Sequence, residues 1–153
     1  MPLPLTDNER TFLRKGRIKI ADLVHYSVEE LSEILRCEEE RARKLIGLAV
    51  FQQVPSIGRI GAAMMVDELG FYTLDELKSQ DAVNLLDSLE QKMGYRVDPC
   101  VEDQLRCMIY YAHYPESERS WPDFTQERKE YRSKNGYPTN RPSSSHSGKG
   151  ENQ

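Results

Sequence analysis

Hydrophobic positions along this chain recur with a helical period. Ala42, Leu45, Ile46, Ala49 and Val50 follow an i, i+3, i+4, i+7, i+8 spacing, which gathers them on one face of an α-helix. Val101, Leu105, Met108, Ile109 and Ala112 form a second such stripe. Val28, Leu31, Ile34 and Leu35 form a third. Val83, Leu86, Leu89, Glu90 and Met93 form a fourth, with Glu90 expected at its edge. No segment sustains the two-residue alternation of a half-buried strand. The expected fold class is therefore all-α, with helices near 7–14, 19–25, 27–36, 38–52, 60–69, 74–80, 82–93, 98–113 and 123–133.

Start signals agree. Ser27 with Glu30 and Thr73 with Glu76 are capping boxes, in which hydroxyl and carboxylate satisfy the exposed amides of a helix's first turn. Asp98 before Pro99 places a carboxylate at an N-cap and proline at the first helical position. The segment 23–31 resembles 69–77, with Leu, Tyr, Glu and Leu recurring identically. Two units of helix end, turn and capped helix suggest a duplicated module with one half degenerate. After Trp121 the core-forming pattern fades, and 133–153 is rich in Ser, Gly, Asn and Pro. Such a composition cannot bury enough apolar area to offset ordering entropy. The expected organisation is one helical domain over 1–132 and a disordered tail over 133–153.

Composition narrows the function classes. The chain is 38% hydrophobic and 30% charged over 153 residues, ordinary for a globular protein. No apolar run is long enough to span a bilayer, and residues 1–10 read as neither signal nor transit peptide. The expected setting is the cytoplasm, without a membrane partner. Cys37, Cys100 and Cys107 are an odd count without a CxxC, so free thiols are expected rather than disulfides or a metal site. The glutamates 38–40 read as compensation of a helix dipole. The net charge is −4, distributed unevenly: 1–26 carries +2, 27–118 carries −9 and 119–153 carries +3. Any phosphate contact would be local, without a broad positive field.

The most informative stretch is 54–70. Pro55 stops the helix before it. A turn at Ile57 and Gly58 follows, with Gly58 expected to supply positive φ. A helix then opens near Arg59, presents Ala62, Met65, Val66 and Leu69 on one face and ends at Gly70. A tight turn entering a helix points several backbone N–H groups one way, beside the positive end of the dipole, and so forms an anion site. Glycines at 58 and 61 leave room for a phosphate, and Arg59 adds charge. Bulk at Gly58 is expected to distort the turn.

This stretch resembles the helix-hairpin-helix motif of DNA repair and recombination proteins, matched here by Val54, Pro55, Ile57, Gly58, Ala62, Leu69 and Gly70. Ser56 stands where the first hairpin glycine usually lies. The resemblance implies that backbone amides grip a DNA phosphate without reading bases. The carriers here would be Ile57, Gly58, Ile60 and Gly61, with Arg59 alongside. The segment 98–112, followed by Trp121, is similar to the C-terminal part of the bacterial pathogenicity-locus family, short helix-hairpin-helix proteins sometimes labelled mitomycin-resistance proteins. Over 45–125 that resemblance implies a DNA-binding protein without a known activity; no triad, P-loop, dinucleotide fingerprint or metal cluster is visible in the sequence, so neither catalysis nor a cofactor is expected.

Two other readings stand beside it. A helix-hairpin-helix also serves as a plain protein-interaction module, for which the acidic middle would be the docking face. Asp98, following Val97 and opening a helix, also resembles the base-excision aspartate of helix-hairpin-helix glycosylases. An Asp before Pro is ordinarily a cap, and the chain lacks an identifiable lysine nucleophile, so no enzyme is expected. Tyr110, Tyr111, Tyr114 and Trp121 are read as core-sealing aromatics rather than a stacking platform.

Overall fold

The computed structural model describes residues 1–145 and is built from helices. Where sequence alone predicts one helical domain, the chain divides into two compact units, Met1–Glu76 and Leu77–Gln153.

In the first unit, α1 (Asp7–Lys15) opens on a capping box between Thr6 and Glu9. The expected helix at 19–25 is a 3-10 turn, Ile20–His25. The Ser27–Glu30 capping box starts α2 (Val28–Leu35), and α3 (Glu39–Phe51) follows. After the turn, α4 (Arg59–Ala63) widens into a π-helical turn, Met64–Glu68. α3 is the hub, packed against α2, α4 and the 3-10 turn. Leu23, Leu31, Leu45, Phe51 and Met65 are fully buried around it, each contributing about 1.5–3 kcal/mol of burial. The packing is close at Gly47 on α3. A Cβ there would stand 3.1 Å from Val66 Cγ2 and 3.2 Å from Tyr72 Cα.

The second half of the short repeat opens differently from the first. Thr73 and Glu76 do form a capping box, but it leads into a 3-10 turn, Asp75–Ser79, rather than an α-helix.

In the second unit, α5 (Ala82–Met93) and α6 (Cys100–His113) pack together, and the turn Trp121–Phe124 leads into α7 (Thr125–Asn135). Asp98 Oδ1 accepts the Cys100 N–H at 2.9 Å, but α6 opens one residue later than expected, with Pro99 rather than Asp98 at its N-cap. Glu90 corrects the fourth stripe: it is 1% exposed, inside the core rather than at its edge. Burying a carboxylate demands a partner, and Arg141 supplies one at 2.8 and 3.1 Å.

The same chemistry corrects the expected tail. Residues 133–135 complete α7. Arg96 Nε donates to Pro142 O at 2.7 Å, and Gln91 Nε2 to Asn140 O at 2.8 Å. Tyr137 has the guanidinium groups of Arg141 and Arg132 at 3.5 and 4.0 Å from its ring centre. Ion pairs and side-chain hydrogen bonds hold this stretch where apolar burial alone would not. The remainder of the expected tail, 146–153, lies outside the described residues.

Candidate nucleic-acid interface

The predicted site residues meet where α3 hands over to α4. Gln52 caps α3, Val54 N–H bonds Phe51 O at 3.2 Å and Ile57 N–H bonds Val54 O at 3.0 Å. The turn's left-handed residue is Ser56, at φ 71°. Gly58, expected to take positive φ, is extended at φ −101° and ψ −163°. The chain reverses one residue pair earlier than the glycine suggested, and position 56 carries the conformation glycine prefers. A Cβ at Gly58 meets nothing within 4 Å. Bulk there would intrude on the space an approaching ligand needs and would leave the turn itself undistorted.

Gly58 is the N-cap of α4 and brings no side chain to it. The first intrahelical bond runs from Ala62 N–H to Gly58 O at 3.0 Å, so the amides of the first turn lack an intrahelical acceptor. Of the five expected carriers, Gly58, Arg59 and Ile60 are exposed. Ile57 and Gly61 are buried. Ile57 anchors the turn with its side chain, so only its backbone is left for a ligand. Arg59 forms no ion pair among the described residues. Ile60 is 74% exposed, unusual for an isoleucine and unforeseen from the pattern.

Beside this turn runs a groove of about 430 Å³, lined by Pro2, Leu3, Pro4, Leu48, Arg59 and Ile60 among others. Its N-terminal wall is fixed by polar contacts to the chain's own carbonyls. Gln52 Nε2 donates to Pro2 O at 2.9 Å, and Arg41 Nη2 to Pro4 O at 2.6 Å. Arg41 also grips the capping residue Glu9 through two bonds of 3.0 and 2.9 Å. That guanidinium lowers the Glu9 carboxyl below its ordinary pKa, outweighing the opposing effect of burial.

The thiols take packing roles. Burial, helped by the Asp98 carboxylate, pushes Cys100 up to about 11, so at neutral pH it is a protonated, weak nucleophile. Cys107 is buried and donates to Arg119 O at 3.5 Å. Of the aromatics, Tyr110 lies 4.7 Å from Tyr114 and 5.6 Å from Phe124, ring centre to ring centre. Arg119 covers Tyr110 and Phe124 at 4.8 and 3.9 Å. Tyr114 alone of this group is left exposed, at 58%.

Sequence reasoning missed a row of buried acids. Glu102 is 0% and Asp103 1% exposed. Glu102 accepts from Arg132 at 2.9 Å and Arg106 at 3.1 Å. Asp103 accepts from Arg128 at 2.7 Å and Thr125 at 2.9 Å. Together with Glu90, these residues take part of the charge of the acidic middle out of the surface. Glu90 hides within the fourth stripe, and Glu102 and Asp103 lie beside the second, where the apolar period gives no sign that a charge is buried.

With the turn, the caps and the α6 segment in place, the comparison with known proteins is decisive at the family level. The pathogenicity locus (Cdd1) family matches residues 44–130. The chain belongs to that family. The match runs from Lys44 within α3 through α4, α5 and α6 into the first half of α7, including Val54 to Gly70 and the buried acids Glu90, Glu102 and Asp103. It stops short of Arg132 and Arg141. No curated protein and no solved structure matches the chain. Among the described residues no helix is long and apolar enough to cross a membrane.

Proposed function

We propose that this chain is a non-catalytic, sequence-independent DNA-binding protein of the cytoplasm, and that its helix-hairpin-helix is α3, the turn and α4. The observation that carries the reading is the uncapped start of α4. Gly58 contributes no side chain, the first-turn amides lack intrahelical acceptors, and exposed Arg59 stands beside them without an ion pair. Amides at a helix start, a dipole's positive end and a guanidinium together suit a phosphate. They carry no base information, so binding is expected to be indifferent to sequence. Asp98 is engaged with the Cys100 N–H, and the reading gives it no catalytic role.

The test is a salt titration of binding to labelled duplex, single-stranded and branched DNA. Arg59→Ala is expected to keep the fold, weaken binding equally for all sequences and lower the salt slope by about one. Gly58→Val is expected to fold and to lose binding, because its side chain fills the approach. An unchanged slope in Arg59→Ala would remove Arg59 from the interface. Absence of DNA affinity near 50 mM salt would sink the reading. The protein-interaction module would then take its place, favoured by exposed Ile60 at the rim of an apolar groove. A partner recovered after nuclease treatment and lost on Ile60→Ser is its signature.

A further inference from the structure

Two helices of the first unit end in an unusual way. At the end of α1, Ile18 N–H bonds Leu13 O at 2.9 Å and Gly16 N–H bonds Phe12 O at 3.0 Å. At the end of α2, Cys37 N–H bonds Ser32 O at 3.1 Å. Both are closures that need one residue in the left-handed conformation, normally glycine. Here those residues are Arg17, at φ 57°, and Arg36, at φ 54°. Of the other left-handed positions, Gly70, Gly94 and Gly136 make the usual choice at φ 75°, 79° and 72°, and Ser56 in the α4 turn is the third non-glycine residue. Gly16 sits directly before Arg17, yet its φ is −81°. Two arginines thus occupy positions where glycine is easier, and a local strain of this kind is a pointer to function.

Both are exposed, and they have company. Arg14, Lys15 and Lys19 are exposed too, and the stretch 10–19 contains no acid. The Arg36 guanidinium lies 4.8 Å from the centre of the Phe12 ring, so the end of α2 is set against α1. Among the described residues no ion pair joins Arg14, Lys15, Arg17, Lys19 or Arg36 to a carboxylate. Favourable interaction with a helix's C-terminal dipole accounts for Arg14 and Lys15. It also favours a cation at Arg17 and Arg36, which stand at the ends of α1 and α2, but it does not account for Lys19, which lies past the helix, nor for the choice of arginine over glycine at a left-handed position.

We infer that the ends of α1 and α2 form a second phosphate-contacting surface, centred on Arg17 and Arg36, that binds the backbone of the same nucleic acid as the α4 turn. The inference rests on the DNA-binding reading above. It adds residues outside the span matched by the family. Arg10 Nη2 reaches Leu3 O at 3.4 Å, and Leu3 lines the groove shared with Arg59 and Ile60, so α1 adjoins the turn through the N-terminal segment. A partner that engages both must carry several phosphates in a row. The exposed large apolar residues Met1, Ile60, Tyr114 and Tyr131 all lie outside 10–36, so the surface lacks the apolar anchors of a membrane-binding face.

The test removes strain and charge together. Arg17→Gly with Arg36→Gly suits both backbone positions, so the double variant is expected to melt no earlier than wild type. It is expected to bind a labelled 20-base-pair duplex at least about tenfold more weakly at 100 mM salt, with the salt slope reduced by about two. Arg17→Lys with Arg36→Lys keeps the charge and is expected to keep the slope. Wild-type affinity and slope in the glycine variant would overturn this inference and leave the hairpin reading standing, because Arg59→Ala reports on that separately. Stronger binding to phosphatidylserine vesicles than to duplex, lost in the same variant, would overturn the nucleic-acid assignment of the surface. If wild type binds no duplex at 50 mM salt, the hairpin reading falls and this inference falls with it.

Discussion

At the scale of single residues, the α4 turn turns on Ser56. Its φ of 71° puts a side chain where L-residues are strained by about 1–2 kcal/mol. Ser56→Gly relieves that strain, and glycine's greater freedom in the unfolded chain returns part of the gain. The expected net effect is about 0.5 kcal/mol more stability, read as a higher urea midpoint with unchanged m-value. A lower midpoint would mean that the serine side chain, not the backbone, holds the turn. The sequence showed that a turn lay here, because Pro55 and Gly58 punctuate it. It could not show which residue reverses the chain. Glycine tolerates both signs of φ, so its presence does not locate the left-handed residue. The pair Gly16 and Arg17 repeats the lesson at the end of α1.

At the scale of elements, what is local was legible. The Ser27–Glu30 and Thr73–Glu76 boxes depend on residues three apart, and both form as expected. The four stripes each produced a helix. Helix type was less legible: Ile20–His25 and Asp75–Ser79 close as 3-10 turns, and short turns leave too few residues for a period to register. The joint between α3 and the chain beyond α4 is set by a contact no period encodes. Gly47 admits Val66 and the Tyr72 backbone at 3.1 and 3.2 Å from where a Cβ would sit. Gly47→Val is therefore expected to cost more than about 2 kcal/mol, as overpacked cores do, although valine is the better helix former. Denaturant unfolding measures it. A loss below 0.5 kcal/mol, in the range of a surface change, would show that the segment moves aside freely.

At the scale of the molecule, the second unit depends on partners far apart in sequence. Arg132 pairs with Glu102 across 30 residues and with Asp87 across 45. Removing one side of a buried pair strands the other charge, at about 3–5 kcal/mol. Glu102 keeps Arg106, so Arg132→Met is expected to cost less than that, about 1–3 kcal/mol by denaturant unfolding, while Lys134→Met, which alters an exposed side chain, changes stability by less than about 0.5 kcal/mol. Equal effects would mean that the Arg132 pairs contribute nothing. Composition alone made 133–153 resemble a solvated tail. It could not reveal that arginines at 132 and 141 answer carboxylates made long before them, since charge complementarity across such separations leaves no trace in periodicity.

That separation has a consequence for how the protein is made. Chains emerge from the ribosome N-terminus first, and domains generally fold as units in that order. The first unit is complete within its own 76 positions. In the second unit Asp103 and Glu90 emerge 25 and 51 residues ahead of Arg128 and Arg141, and Glu102, which has Arg106 four residues on, emerges 30 residues ahead of Arg132. Until Arg141 arrives, Glu90 has only the Val97 amide and solvent. Its own hydrated acids are expected to hold the nascent second unit open, so that its core closes late in synthesis, after the first unit has formed.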